Sequence, residues 1–109
     1  MVDEKWIDSE KKIARRIYDL ALNQEYTEII EEFKTKALRV KSSEDLWAMQ
    51  EYLENTHRDL EARYDFRYSQ LIIVFGNLMH RGRIAKDQLK GLSENKINEI
   101  CRIASIKSQ

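Results

Sequence analysis

The stretch SEDLWAMQEYLENTHRDLEARYDFRYSQLIIVFGNLM, residues 43–79, decides how the chain folds. It opens with a helix start. Ser42 or Ser43 can cap, and Glu44 and Asp45 complement the positive end of the helix dipole. At 100° per residue, Leu46, Met49, Leu53, His57, Leu60 and Tyr64 gather on one side, which the spacing marks as a buried stripe. Trp47 lies off that stripe, with Glu51, Glu54, Arg58 and Asp65. Glu54 and Arg58 are spaced to pair across one turn. The run Leu71-Ile-Ile-Val-Phe75 is rich in β-branched residues and by itself suits a strand. Leu71, Phe75, Leu78 and Met79 keep helical spacing, and the chain offers no second strand, so the reading is helix. Between the two, Tyr64–Arg67 either continues the first helix or gives way to a second, over 66–81, capped by Asp65.

Upstream, apolar residues recur at Ile13, Ile17, Leu20, Tyr26, Ile29, Ile30, Phe33, Ala37 and Val40. These three- and four-residue spacings predict one helix over 9–41, with Asp8 or Ser9 as N-cap and Asn23-Gln24 as its weak point. Such a helix is roughly 50 Å long at 1.5 Å per residue. A compact globule of this chain length is about 34 Å across. The helix overhangs its own domain, and a second copy of the chain is the simplest cover for its apolar stripe. Residues 1–8 read as an arm whose Trp6 and Ile7 either dock or stand exposed. Downstream, Gly82 reads as a C′ residue after His80 and Arg81. A short helix over Ile84–Lys90 is closed by Gly91. Ser93 caps a last helix in which Ile97, Ile100, Cys101 and Ala104 share a face. The fold class is all-α: long helices in an extended homodimer with a small C-terminal helical head. The 109 residues form a single domain with an arm (1–8), dimerising helices (9–63) and a head (64–109).

Composition narrows the function. There is no proline, and little forces a helix to break. No run approaches the roughly 18 apolar residues a membrane span needs. MVDEKW lacks the basic and apolar regions of a signal peptide, and the lone Cys101 fits a reducing cytosol, so the expected location is cytoplasmic. Net charge is zero, which argues against general nucleic-acid binding. The balance is uneven: residues 1–65 carry 11 basic and 16 acidic side chains, residues 66–109 carry 8 and 3. Two halves of opposite sign can steer an oriented encounter with a partner, or can attract each other or a second subunit.

No metal-ligand spacing links His57, His80 and Cys101, and there is no phosphate loop, dinucleotide glycine motif or nucleophile elbow. The sequence therefore reads as a binding protein, without enzyme activity and without cofactor or metal. Trp47, a large aromatic among charges, has the character of an interface anchor, or else packs at a seam between copies. His57, on the stripe, reads as a core or interface histidine. Asp65 with Arg67 reads as a local cap and salt bridge, with Arg67 equally able to face a partner. Arg81, Arg83, Lys86, Lys90, Lys96 and Arg102 either face an acidic partner or are scattered surface charge.

At Asp45-Leu46-Trp47, Tyr52-Leu53, Tyr64-Asp65 with Arg67, and Ile72-Ile73-Val74-Phe75, the chain resembles the fluorescence recovery protein family of cyanobacteria. The resemblance extends from about Ser9 to Ala104. It implies an all-α homodimer that binds the photoactivated, red form of the orange carotenoid protein, mainly through that protein's C-terminal domain. Such proteins speed the return to the orange form and end phycobilisome quenching, on the thylakoid side of the cytoplasm, with no covalent chemistry. The family's tryptophan falls on Trp47 and its dimer-contact leucine on Leu46; Met49 and Leu53, on the same stripe of this chain, are expected to share the dimer interface. Where the family often has histidine then aspartate, this chain has Gln50 and Glu51. A family arginine falls on His57, with Arg58 one place later. The partner-binding set implied is Trp47, Gln50, Glu51, His57, Arg58 and Arg67. The departures at Gln50, Glu51 and His57 keep a second function open: a related helical homodimer, in an organism without that system, that binds a different protein.

Overall fold

The computed structural model describes residues 5–107. Four α-helices follow one another: α1 (Asp8–Ala37), α2 (Ser43–Arg63), α3 (Leu71–His80) and α4 (Glu94–Lys107), with a 3-10 turn (Lys86–Leu89) before the last. Residues 1–4 of the expected arm lie outside the described residues.

α1 is one unbroken helix. It passes Asn23-Gln24 without a stop, and the Thr27 hydroxyl donates back to the Asn23 carbonyl at 3.0 Å. Thirty residues span about 45 Å. The radius of gyration is 17.0 Å and the longest extent 54 Å, against about 13 Å expected of a compact chain of this size. Neither Asp8 nor Ser9 is the N-cap. Asp8 is already helical, and Ile7, which has no oxygen to cap with, holds the cap position in extended backbone. The side chain of Glu10 reaches back instead and accepts from the Ile7 amide at 3.2 Å. At the other end α1 stops four residues early. The 3-10-type bonds Arg39 N–H to Lys36 C=O and Val40 N–H to Ala37 C=O wind it down. Ser42 then caps α2, its hydroxyl oxygen accepting from the Asp45 amide at 3.1 Å while Asp45 Oδ2 accepts from the Lys41 amide at 3.0 Å.

α1 and α2 form an open antiparallel hairpin. Glu25 meets Arg63 and Glu32 meets Tyr52, so the residue number rises on one helix as it falls on the other. After Arg63 the chain neither continues the helix nor starts a new one at Asp65. Residues 64–67 form an extended strap laid antiparallel on the first half of α1. Tyr64 and Phe66 both stand edge-on to Tyr18, at 5.4 and 4.9 Å between ring centroids. Phe66 carries the Arg15 guanidinium at 3.6 Å, and Tyr68 packs on Phe66 and on Trp6. Alternate residues of an extended chain face opposite ways. The even positions are aromatic and face α1. The odd ones, Asp65 and Arg67, form a salt bridge of 2.6 Å on the outside.

α3 packs on α4 and on the first half of α1. The core comprises Trp6, then Ala14, Ile17, Tyr18 and Ala21 of α1, Leu60 of α2 with Tyr64, Leu71, Val74, Phe75 and Leu78 of α3, then Ile84, Leu89, Leu92 and Ile100. Gly76 sets the distance between α3 and α4, because a Cβ there would lie 2.6 Å from Ile103 Cβ, an atom fixed to its own backbone. α3 ends as its sequence announces. Gly82 has φ +75°, its amide donates to Met79 C=O at 3.0 Å, and the Arg83 amide donates to Leu78 C=O at 2.8 Å, the Schellman arrangement. The expected helix over Ile84–Lys90 is only the four-residue 3-10 turn. Ser93 caps α4, accepting from the Lys96 amide at 3.3 Å.

Two glutamates of α1 are buried, at 3–4 % exposure. Glu10 accepts from Lys96 Nζ at 3.2 Å and from the Ser93 amide at 2.8 Å, and Lys96 also donates to the Lys5 carbonyl at 2.7 Å. This ties α1 to α4 and seats Trp6, which is buried while Ile7 is exposed. Glu25 accepts from the Tyr64 hydroxyl at 2.5 Å and Arg63 at 2.8 Å, with Arg81 at 3.4 Å and Arg83 at 3.8 Å. Burial alone raises both carboxyl pKa values. The hydrogen bonds and cations named outweigh it, and each lies below the usual carboxylate value. A depressed carboxylate contributes stability that is complete above the unfolded value, about 4.3, and is lost as pH falls through the folded one. Melting temperature should therefore fall steeply once pH drops below about 4.3. Glu25→Gln should lower it at neutral pH and shrink that acid loss. Circular-dichroism melts from pH 7 to 3 check both, and an equal acid loss in the variant would refute the assignment.

Candidate protein-binding site

The far half of the hairpin is uncovered. Within residues 26–59 no side chain is buried. Of the stripe expected on α2, only Leu60 and Tyr64 are buried. Met49 is half-buried, while Leu46 is 51 % and Leu53 40 % exposed. On α1 the apolar residues Tyr26, Ile30 and Phe33 are exposed at four- and three-residue spacing. Leu38 follows at the hairpin tip, 86 % exposed. Chains rarely leave so much aliphatic and aromatic surface in water without a use for it. The physical reason is length: full burial under α3, α4 and the strap ends on α1 at Glu25, and one turn on Ile29 is only partly buried against the core.

Trp47 is 61 % exposed on α2. Gln50 and Glu51 follow one turn on, both exposed, and a 100° step per residue keeps this group on one side of the helix. His57 corrects the core half of its reading, not the interface half. It is not buried but exposed, with Nε2 2.8 Å from Glu61 Oε1. A stripe position is buried only where something lies over it, and nothing in the single chain covers α2 at that turn. Arg58 does not pair with Glu54; its Nη1 donates to Asn55 Oδ1 at 3.0 Å. Arg67 lies on the strap, held bidentate by Asp65 at 2.9 and 2.6 Å. α2 rises about 24 Å between Trp47 and Arg63. Arg67, beyond that end, does not join the Trp47 group within one chain.

The basic residues of the second half divide in two. Arg81 and Arg83 turn to Glu25 and Glu28, Lys96 to Glu10, and Arg102 to Glu99. The first three pairings join the acidic half of the chain to the basic half, so part of the charge asymmetry is satisfied internally. Lys86 and Lys90 are exposed on and beside the 3-10 turn.

The buried glutamates were not evident from the sequence, although a signal existed. Glu10, Ala14, Ile17, Tyr18, Ala21 and Glu25 are the buried residues of α1, at helical spacing. Two charges sit in register with an apolar stripe. The stripe through Ile13, Ile17 and Leu20 is displaced by comparison, and Leu20 is exposed. Among the described residues no group of histidine, cysteine, aspartate or glutamate is placed to hold a metal ion, and no helix is long and apolar enough to cross a membrane.

Residues 6–104 match the family model of the photoprotection regulator fluorescence recovery protein. The chain belongs to that family. The fluorescence recovery protein of Synechocystis sp. PCC 6803 is 24% identical over 101 residues, 93% of each chain. The solved structure of the Fremyella diplosiphon fluorescence recovery protein is similar at 28% identity and TM-score 0.86, covering 93% of this chain and 99% of that one. The Synechocystis structure matches with TM-score 0.85 at 24% identity over the same shares. The all-α fold is thus the fluorescence recovery protein fold, and the family's role is the regulation of photoprotection.

Trp47, as an exposed side chain without a ring partner among the described residues, contributes little to the folding of one chain. Trp47→Ala should change unfolding free energy by no more than about 0.5 kcal/mol. Urea unfolding in dilute solution tests this, and a loss of about 2 kcal/mol or more would show the indole to be packed.

Proposed function

We propose that this chain is a non-enzymatic regulatory binding protein. It engages the photoactivated orange carotenoid protein through that protein's C-terminal domain and accelerates red-to-orange reversion, so that phycobilisome quenching ends. The observation that carries the reading is the uncovered hairpin with Trp47 exposed among Gln50, Glu51 and other polar side chains, in a chain of the fluorescence recovery protein family. A protein that speeds a conformational return needs no bond-making residue. It needs greater affinity for the conformer on the return path than for the starting one.

The working unit in this reading is a homodimer. Leu46, Met49 and Leu53 of α2, with the Tyr26, Ile30 and Phe33 strip of α1, supply an apolar seam that a second copy covers symmetrically. Trp47, Gln50, Glu51, His57 and Arg58 then form the polar-rimmed surface beside the seam, with the indole as anchor. Arg67 joins that surface only from the other end of a neighbouring α2. A second reading follows from Gln50, Glu51 and His57. Gln50 cannot become cationic, Glu51 carries its charge one methylene further out than an aspartate, and His57 already pairs with Glu61. A homodimer of the same fold that holds a different protein would show the same uncovered face.

Absorbance recovery of the red carotenoid protein in the dark, with and without this protein, separates the two. Acceleration is expected, and an unchanged rate at saturating protein favours the second reading. Trp47→Ala should weaken the acceleration about tenfold or more, as loss of a central aromatic anchor does. Leu46→Glu places a charge in the seam on each subunit. By light scattering its mass should fall to that of one chain, and an unaltered dimer mass would remove Leu46 from the seam.

A further inference from the structure

α2 is joined to the rest of the chain in three ways, one of them Leu60, its single residue in the core. Along the backbone it runs into the strap. Laterally, its last turn is fastened to α1 by one carboxylate. Arg63, the final residue of α2, donates to Glu25 at 2.8 Å, and Tyr64, its C-cap, at 2.5 Å. From the end of α3, Arg81 and Arg83 approach the same carboxylate at 3.4 and 3.8 Å. Arg83 gives its terminal nitrogens to Glu28 at 2.6 and 2.8 Å, one turn further along α1. Three segments therefore converge on Glu25. Nearer the tip, the side-chain links between α1 and α2 are exposed: the Tyr52 hydroxyl on Glu32, and Lys36 Nζ 5.0 Å over the Tyr52 ring. No residue of α2 before Leu60 is buried. Apolar packing holds α2 only at Leu60, and the polar groups around Glu25 fasten the turn beyond it, where α2 leaves the head.

We propose that Glu25 is a positioning residue for the protein-binding face: by clasping Arg63 and Tyr64 it fixes the bearing of α2, and with it Trp47, relative to α1 and the head. The inference rests on the reading of Trp47 as the partner surface. Leverage makes the clasp matter. Trp47 lies about 24 Å up α2 from Arg63, so a tilt of about 10° at the clasp carries the indole through about 4 Å. Binding sites need their groups held within about 0.5 Å. Without the clasp α2 samples several bearings. If about one in ten presents Trp47 correctly, the apparent dissociation constant rises about tenfold. Glu28 is the natural control, because it touches Arg83 on the outside and neither Arg63 nor Tyr64.

The test uses the full chain with Cys101→Ser and spin labels on cysteines placed at Gln50, on α2, and Lys86, on the head. Labelled chain is diluted into unlabelled chain so that only distances within one subunit register. A single narrow distance is expected for the parent. In Glu25→Gln the distribution should broaden while helical content is retained, and in Glu28→Gln it should stay narrow. Binding to the carotenoid protein, measured on unlabelled protein, should be about tenfold weaker for Glu25→Gln alone. Where Glu25→Gln does not fold, Tyr64→Phe takes its place: it keeps the ring on Tyr18, loses the hydroxyl, and should broaden the same distance. A native-like distance in the folded variant, or equal broadening in Glu28→Gln, overturns the proposal. Broadening in a protein whose parent never binds the carotenoid protein leaves the positioning role standing and removes that partner.

Discussion

A helix of thirty residues is longer than the core that this chain builds to cover it. Everything distinctive in the structure follows from that mismatch. The first half of α1 is enclosed by α3, α4 and the strap, and burial ends at Glu25. The second half runs on into water with Tyr26, Ile30 and Phe33 on its surface, and α2 returns beside it without closing over them. An isolated hairpin of two helices with no buried side chain has little beyond intrinsic propensity to hold it. The hairpin therefore leaves an apolar surface open to water in the single chain, and its length carries Trp47 clear of the head.

Where the covered and uncovered parts meet, the structure relies on charge. Glu25 takes the place that the next apolar residue of the stripe would hold. It gathers groups from the end of α2, the strap and the end of α3. Glu10 does the same at the opposite end of the enclosed segment, where Lys96 and the Ser93 amide bind it. A buried carboxylate is costly unless its partners are well placed, and an incorrectly paired one is worse than none. The acidic first half and basic second half of the chain are thus partly a record of internal fastening, with Arg81, Arg83 and Lys96 already committed.

The strap gives structural meaning to Tyr64-Asp-Phe-Arg-Tyr68. With aromatic residues at every second position, the segment suits an extended strand against a helix better than a helix of its own. Helical wheels place Tyr64 and Phe66 about 200° apart, on different faces, whereas in extended chain they face the same way. The aromatic ladder from Tyr64 to Trp6 then closes the head on one side, and Asp65 with Arg67 neutralise each other on the other.

Much was legible in the residues themselves. Helical periodicity, the absence of proline, the Ser42 and Ser93 caps and Gly82 as the C′ residue marked the helices and most of their ends, because caps and periods are local and act within a few residues. The overhang of α1 was legible too, since it needs only a count of residues and a rise per residue. The Asp45-Leu46-Trp47 start and the residues after it carried the family. What the chain could not disclose were matters of distance along the sequence. That Glu25 and Glu10 are buried, that Trp6 is seated and Ile7 is not, and that His57 is exposed all depend on which segment lies over which turn of helix. A side chain's register says which way it faces. Only the packed structure says whether anything is there to meet it.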